Sequence, residues 1–257
     1  MITVAALRTR THTLLAATGV VVAVALSGCA SADAGEAPVE SRSFPLTGKT
    51  LTIDTDNSDI KLVPADVKDV QVSRQVDGSR GSRPKASWDM KDGTLTLRVK
   101  CDGIAGDCAS RHSVKVPRGV AVTVEDGNGR LTATGFDTAL KIRSDNGEVT
   151  VRDSSGPLDL NSNNGEIVTE RITARTVTAR SGNGMVRLGL TDAPDRVETV
   201  TDNGEVVIEL PRAGAPYAVT ATSGNGDAHV DVPTAGGSPH VVKARSDNGE
   251  VTVRSVN

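Results

Sequence analysis

Aromatic side chains are nearly missing from this chain of 257 residues: Phe44, Trp88, Phe136 and Tyr217 are the whole set. A binder of single-stranded nucleic acid needs rings for stacking and a concentrated basic face. Here 29 Lys and Arg stand against 32 Asp and Glu, for a net charge of −3, so nucleic acid is excluded as a partner. The aromatic platforms that usually hold sugars are missing too. Three cysteines are too few for a disulfide-dense scaffold, and the residues beside Cys101 and Cys108, Asp102 and Asp107, do not make up the Cys/His set that zinc prefers. No segment beyond Cys29 repeats its apolar residues with a helical period, which excludes a helical domain.

Long apolar runs are also scarce. The one that exists, Leu14 to Leu26, is shorter than the roughly 20 residues a membrane-spanning helix needs. Preceded by Arg8 and Arg10 with no acid, it has the shape of an export signal. It ends in Leu26-Ser27-Gly28-Cys29, which resembles the bacterial lipobox. That resemblance implies that residues 1–28 are a discarded lipoprotein signal peptide and that Cys29 is the acylated, palmitate-bearing N-terminus. Several acyl chains on one cysteine hold firmly, because membrane binding scales with buried methylenes. The expected location is extracytoplasmic, on the cell membrane. Without Arg8 and Arg10 the 29 basic residues become 27, so the mature chain is mildly acidic. Residues 29–46, rich in Ala, Ser, Glu and Pro up to Ser43, read as a flexible linker between lipid and domain.

What the rest of the chain has in abundance is self-similarity. Lys141–Arg152 returns as Lys243–Arg254 with 11 of 12 positions unchanged. Asn-Gly pairs begin at Asn128, Asn146, Asn164, Asn183, Asn203, Asn225 and Asn248, at spacings of 18, 18, 19, 20, 22 and 23 residues, and a degenerate copy surrounds Asn57. Each unit alternates apolar and polar residues on both sides of the pair, as in Leu140 and Ile142 before it and Val149 and Val151 after it. Period-two alternation rich in Val, Ile and Thr means strands, and the fold class is all-β.

Two architectures fit such strands. In an antiparallel hairpin meander or sandwich, Asn-Gly is a two-residue turn. In a β-solenoid, each unit is one coil and Asn-Gly is a corner, with like residues stacked about 4.8 Å apart. Charge favours the solenoid, because a hairpin about Asn146-Gly147 sets Asp145 opposite Glu148 and Lys141 opposite Arg152, and like charges directly opposite are destabilising. The domain spans residues 47–257, and residues 64–118 read as a cap or insertion containing a hairpin about Asp92-Gly93, with Trp88 in the core. Cys101 and Cys108, close together in an oxidising compartment, pair most simply as a disulfide.

With the lipobox and the repeated Asn-Gly-Glu-Val at 146–149, 203–206 and 248–251, the chain resembles the bacterial family of exported β-strand-repeat proteins described as candidate adhesins, a domain of unknown function. The resemblance covers about Leu51 to Asn257. It implies a β-helix-like surface domain with no catalytic residues, and the function expected is a non-enzymatic, membrane-tethered adhesin or envelope interaction module. Its partners are the membrane, through the lipid on Cys29, and a cell-wall polymer or surface protein. Nothing in the pattern sets an oligomeric state.

Two alternatives stand beside this reading. A carbohydrate-active β-helix enzyme needs two carboxyls flanking one bond, whereas Asp145, Glu148, Glu166, Asp202, Glu205, Asp247 and Glu250 recur with the repeat, as structural columns do. A cation-stabilised spacer could use stacked acids. However, the loop from Asp54 through Asp56 to Asp59 lacks the glycine and terminal glutamate of an EF-hand. No metal ligand set and no cofactor is implied, and His112, His229 and His240 read as surface residues.

Overall fold

The computed structural model describes residues 34–79, 82–102, 107–212 and 214–256. A short 3-10 turn at Ala34–Glu36 precedes the strands. The first strands are β1 (Glu40–Phe44), β2 (Thr50–Asn57), β3 (Asp59–Ala65), β4 (Val70–Gly78), β5 (Arg83–Lys91), β6 (Thr94–Asp102) and β7 (Cys108–Pro117). The repeat supplies β8 (Ala121–Asn128), β9 (Leu131–Thr134), β10 (Leu140–Asn146), β11 (Val149–Arg152), β12 (Leu158–Ser162), β13 (Ile167–Ile172) and β14 (Thr176–Asn183). It continues with β15 (Val186–Leu190), β16 (Arg196–Asn203), β17 (Val206–Pro211), β18 (Ala218–Asn225), β19 (Ala228–Asp231), β20 (Val241–Asn248) and β21 (Val251–Val256).

These strands form two sheets. Sheet A runs β1-β4-β7-β3-β9-β11-β13-β15-β17-β21-β19, and sheet B runs β18-β20-β16-β14-β12-β10-β8-β2-β6-β5. The strand before each Asn-Gly lies in sheet B and the strand after it in sheet A, so every unit is one coil of a β-solenoid. Within the repeat all pairings are parallel. The hairpin alternative is thereby corrected: Asp145 lies in β10 of sheet B and Glu148 at the corner before β11 of sheet A, so their charges never meet across a ladder.

Sequence order and stacking order part company at both ends. The coil β6–β7 lies beneath β2–β3, joined by parallel pairing of Ile53 with Leu95 and Ile60 with His112. The C-terminal coil β20–β21 slides between β16–β17 and β18–β19, so the last rung of the stack is β18–β19. Antiparallel β4, β1 and β5 close the first end. There the half-buried Trp88 packs edge-on against Phe44 at 6.2 Å, and the Arg74 guanidinium lies 4.0 Å over the Trp88 ring.

One boundary needs correcting. Glu40–Phe44, expected within the flexible linker, is strand β1, paired antiparallel with β4. A single apolar residue makes the difference: Phe44 is buried in the core, and Arg74 binds Glu40. The cysteine and signal at 1–29 lie outside the described residues.

Along the sheet B strands of the repeat two inward positions are apolar, as in Leu140 and Ile142 or Leu158 and Leu160, except in β16, where Thr199 takes the second; burial of each apolar side chain contributes about 1.5–3 kcal/mol. In five coils the third inward position is a hydroxyl that donates to the corner glycine of a neighbouring coil, whereas the Thr55 and Ser144 hydroxyls in the same column make no such bond. Ser181 Oγ reaches Gly165 O at 3.0 Å, Thr201 Oγ1 reaches Gly184 O at 3.1 Å, and Ser246 Oγ reaches Gly204 O at 2.8 Å. At the corner the backbones nearly touch: a Cβ on Gly147 would stand 1.9 Å from Gly129 O, so only glycine fits.

Two buried side chains break the pattern. Asp126 occupies the hydroxyl column, between Thr55 and Ser144 in register, and neither carboxyl oxygen has a hydrogen-bond partner. Burial pushes its pKa up to about 7, nearby Asp145, Asp56 and Asp59 add to the rise, and Ser144 lies close enough to oppose it in part. His112, expected on the surface, is fully buried in register with Ile60, which also pairs with Leu131. Its ring nitrogens have no partner, and burial, helped by Arg74, lowers its pKa to about 4.

These two groups give stability opposite pH slopes. Between about pH 4, where an unfolded aspartate ionises, and about pH 7, the folded chain keeps the Asp126 proton that the unfolded chain loses, so stability falls as pH rises. From about pH 6.5 down to about pH 4 the unfolded chain protonates His112 and the folded chain does not, so stability falls as pH drops. In the native chain the slopes offset. Asp126→Ser should therefore gain about 2 kcal/mol above pH 7, with no gain below pH 4, and should leave a stability that rises with pH. His112→Leu should do the reverse, and urea midpoints across that range that stay parallel for all three proteins would refute the assignment. Separately, Gly147→Ala should cost about 3–5 kcal/mol or prevent folding, while Gly236→Ala, where nothing lies within 4 Å, should change the midpoint by no more than about 0.5 kcal/mol.

Candidate functional site

All seven sequence-marked asparagines form one column, and Asn57 joins them. The amide of Asn128 donates to Asn57 Oδ1 at 3.0 Å, Asn146 to Asn128 at 3.1 Å, Asn164 to Asn146 at 3.1 Å, and Asn183 to Asn164 at 2.8 Å. Asn203 then donates to Asn183 at 2.9 Å, Asn248 to Asn203 at 3.0 Å, and Asn225 to Asn248 at 2.8 Å. Asparagine suits this place because one amide donates up the stack while its oxygen accepts from the next. The ladder is a structural spine lying along one corner of the solenoid.

The repeated carboxylates flank that spine, and several are engaged by neighbours. Glu148 binds Arg130 at 3.2 Å and accepts from Thr150 at 2.9 Å. Asp145 accepts from Asn163 at 2.8 Å, Asp247 binds Arg245 at 2.7 Å, and Glu250 accepts from Thr252 at 3.0 Å. Asp54 and Asp56 both face Arg98, at 2.5 and 3.2 Å, and Asp59 accepts the backbone N–H of Arg130. Among the described residues no group of three or more His, Cys, Asp or Glu is placed to hold a metal ion. Asp126 is raised toward neutrality, as a general acid would be, yet it is closed inside the stack where no polymer can reach it.

Cys101 and Cys108 are joined in a disulfide that ties the end of β6 to the start of β7 at the corner of the first coil. The bond engages Cys108, and His112, four residues on, is buried and short of a proton, so a Cys–His nucleophile does not form. His240 Nδ1 lies 2.8 Å from Pro194 O and its ring meets Tyr217 at 5.9 Å, whereas His229 is exposed near Glu250.

The outer face of sheet B offers room for a ligand, which reading the repeat residue by residue does not reveal. Two grooves run along it. One, of about 520 Å³, is lined by Thr52, Thr123, Lys141, Asp159, Thr178 and Arg180 among others. The second, of about 320 Å³, shares Arg180 and continues over Glu198, Val200, Lys243, Arg245, Thr220 and Thr222. Register explains the lining: Lys141 pairs with Thr123 and Asp159, and Glu198 with Thr178 and Lys243, so hydroxyls and charges rise in one column. The signal was present in sequence as the outward positions of each strand, but only the stacking order shows which of them become neighbours.

Among solved structures the chain is similar to a candidate adhesin from Bacteroides fragilis NCTC 9343, at 14% identity over 85% of this chain and 97% of that one, with a TM-score of 0.47. It is also similar to a candidate adhesin from Parabacteroides distasonis ATCC 8503, at 13% identity over 86% and 98%, TM-score 0.43. A candidate cell adhesion protein from Clostridium sporogenes ATCC 15579 matches at 13% identity over 85% and 99%, TM-score 0.39. No curated protein matches the chain. The Toastrack DUF4097 family model matches residues 49–254, nearly the whole solenoid, and the chain belongs to that family.

Proposed function

We propose that this protein is a non-enzymatic, lipid-tethered extracytoplasmic module that contacts an extended envelope polymer through the outer face of sheet B. One observation carries the reading: the two grooves on that face share Arg180 in their linings and cross successive coils, so hydroxyls and charges repeat along the solenoid axis. A ligand that is itself a repeat can meet such a column at several rungs, and weak contacts summed along it give avidity without a deep pocket. The names of the solved relatives, which speak of adhesion, point the same way.

The described chain enters through β1 at the capped end, and nine coils at about 4.8 Å each put β18–β19 about 40 Å from that end. An enzymatic reading has less support, because the exposed carboxylates recur rung by rung and several are tied up by arginines and hydroxyls.

Charge reversal tests the contact face. Lys141→Glu, Arg180→Glu and Lys243→Glu combined should weaken retention of the mature domain on isolated cell envelopes by at least about tenfold, with an unchanged circular dichroism spectrum. Equal retention of the triple variant and the native domain would move the contact elsewhere, and no retention of either would sink the proposal. Cys29→Ala should shift the protein from the membrane pellet to the soluble fraction after a salt wash, and a variant that stays on the pellet would refute the lipid tether.

A further inference from the structure

The seven Asn-Gly pairs are chemically the same dipeptide, yet the stack does not treat them alike. An Asn-Gly pair is the sequence most prone to losing its side-chain amide. The glycine backbone nitrogen, after giving its proton to water or hydroxide, attacks Asn Cγ. Ammonia leaves, and the cyclic imide that results is opened by water to aspartate or isoaspartate. The attack needs two freedoms: the side-chain amide must swing onto the following nitrogen, and that nitrogen must be able to lose its hydrogen.

Inner rungs deny both. Each of the six inner Asn-Gly amides donates to one neighbour and accepts from another, so swinging breaks two ladder bonds. The glycine nitrogens of four of these pairs also donate to the asparagine carbonyl of the adjoining coil: Gly129 to Asn146, Gly184 to Asn203, Gly204 to Asn248 and Gly249 to Asn225. In the other two, Gly147 and Gly165 are wedged so tightly that a Cβ would lie 1.9 and 2.0 Å from a neighbouring carbonyl oxygen.

Asn225 is different because the C-terminal coil inserts beneath it and leaves β18–β19 as the last rung. Its amide donates to Asn248, but among the described residues no further coil donates to its oxygen. Gly226 likewise has no further coil among the described residues whose carbonyl its N–H could meet, and both residues are exposed. We propose that Asn225 is a site of spontaneous deamidation in the folded protein, selected by its place at the open end of the ladder.

The product would not be silent. Aspartate or isoaspartate at 225 lacks the N–H that binds Asn248, and it adds a negative charge to a corner that already carries Asp227, Asp247 and Glu250. Isoaspartate also lengthens the backbone where a Cβ on Gly226 would meet Gly249 O at 2.6 Å, so the last coil loses its register. Deamidation would thus loosen β18–β19 while the inner coils hold.

Peptide mapping by mass spectrometry reads this directly on the native mature protein, held at body temperature in mildly alkaline buffer and sampled over weeks. Amide-to-acid conversion should be at least about tenfold faster at Asn225 than at any of the six inner pairs, since each inner site must first open a rung. The same protein held unfolded in urea should convert all seven at similar rates. Similar rates at all seven sites in the folded chain, faster loss at an inner site, or a preference for Asn225 that persists in urea would each overturn the proposal.

Discussion

The approach of one coil's corner to the next is the contact on which the rest of this structure depends. With the Gly147 Cα against Gly129 O, no side chain can intervene, and the rungs sit at hydrogen-bonding distance all the way up the column. The asparagine amides and the inner hydroxyls then close over that contact from outside and inside, so the corner is bonded through its backbone and through two sets of side chains. Register follows from it. A one-residue slip in any coil would put Asn against Gly and turn the apolar face outward.

Fixing one corner frees the other. Units grow from 18 to 23 residues without shifting the Asn register, so the extra residues must fall in the connections from sheet A back to sheet B. Those connections are irregular. At successive coils Gly135, Asp153 and Arg171 all adopt left-handed backbone, and the two non-glycine residues are clamped by a two-pronged pair, Arg171 Nε and Nη2 to Asp153 at 2.6 and 2.8 Å. The longest return, 232–240, carries the chain from the last rung back to the coil beneath it. Both ends of the stack are therefore built by insertion: β4 to β7 between β3 and β8, and β18–β19 between β17 and β20.

That is also where the sequence becomes hard to read. The strands, the corners, the coil period and the disulfide partners were all legible, because each leaves a local mark: alternation, Asn-Gly, spacing, a close pair of cysteines. Stacking order leaves none. The likeness of Lys141–Arg152 to Lys243–Arg254 says that both are coils, but not that the second lies against β16 rather than β18. Likewise nothing local separates β1 from the linker before it, where the burial of Phe44 decides, or tells that His112 falls in register with Ile60. These facts are properties of pairs far apart in the chain.

The same reasoning explains why the repeat reveals architecture so readily and ligand so poorly. The fold constrains inward residues and the corner, and there the units largely agree: an aliphatic residue, a second small or aliphatic one (Thr199 in one unit), a hydroxyl in six of the seven, and the Asn-Gly pair. Asp126 is the exception that shows how strongly the column prefers hydroxyls, for it sits there unpartnered and short of ionisation. Outward positions meet only solvent and their neighbours above and below, so Thr123, Lys141, Asp159, Thr178, Glu198 and Lys243 can follow one another on the same column without strain. A ligand on sheet B would therefore be recognised by the residues that folding leaves unconstrained, and the order in which they met it would be the spatial order of the coils, not the order of the chain.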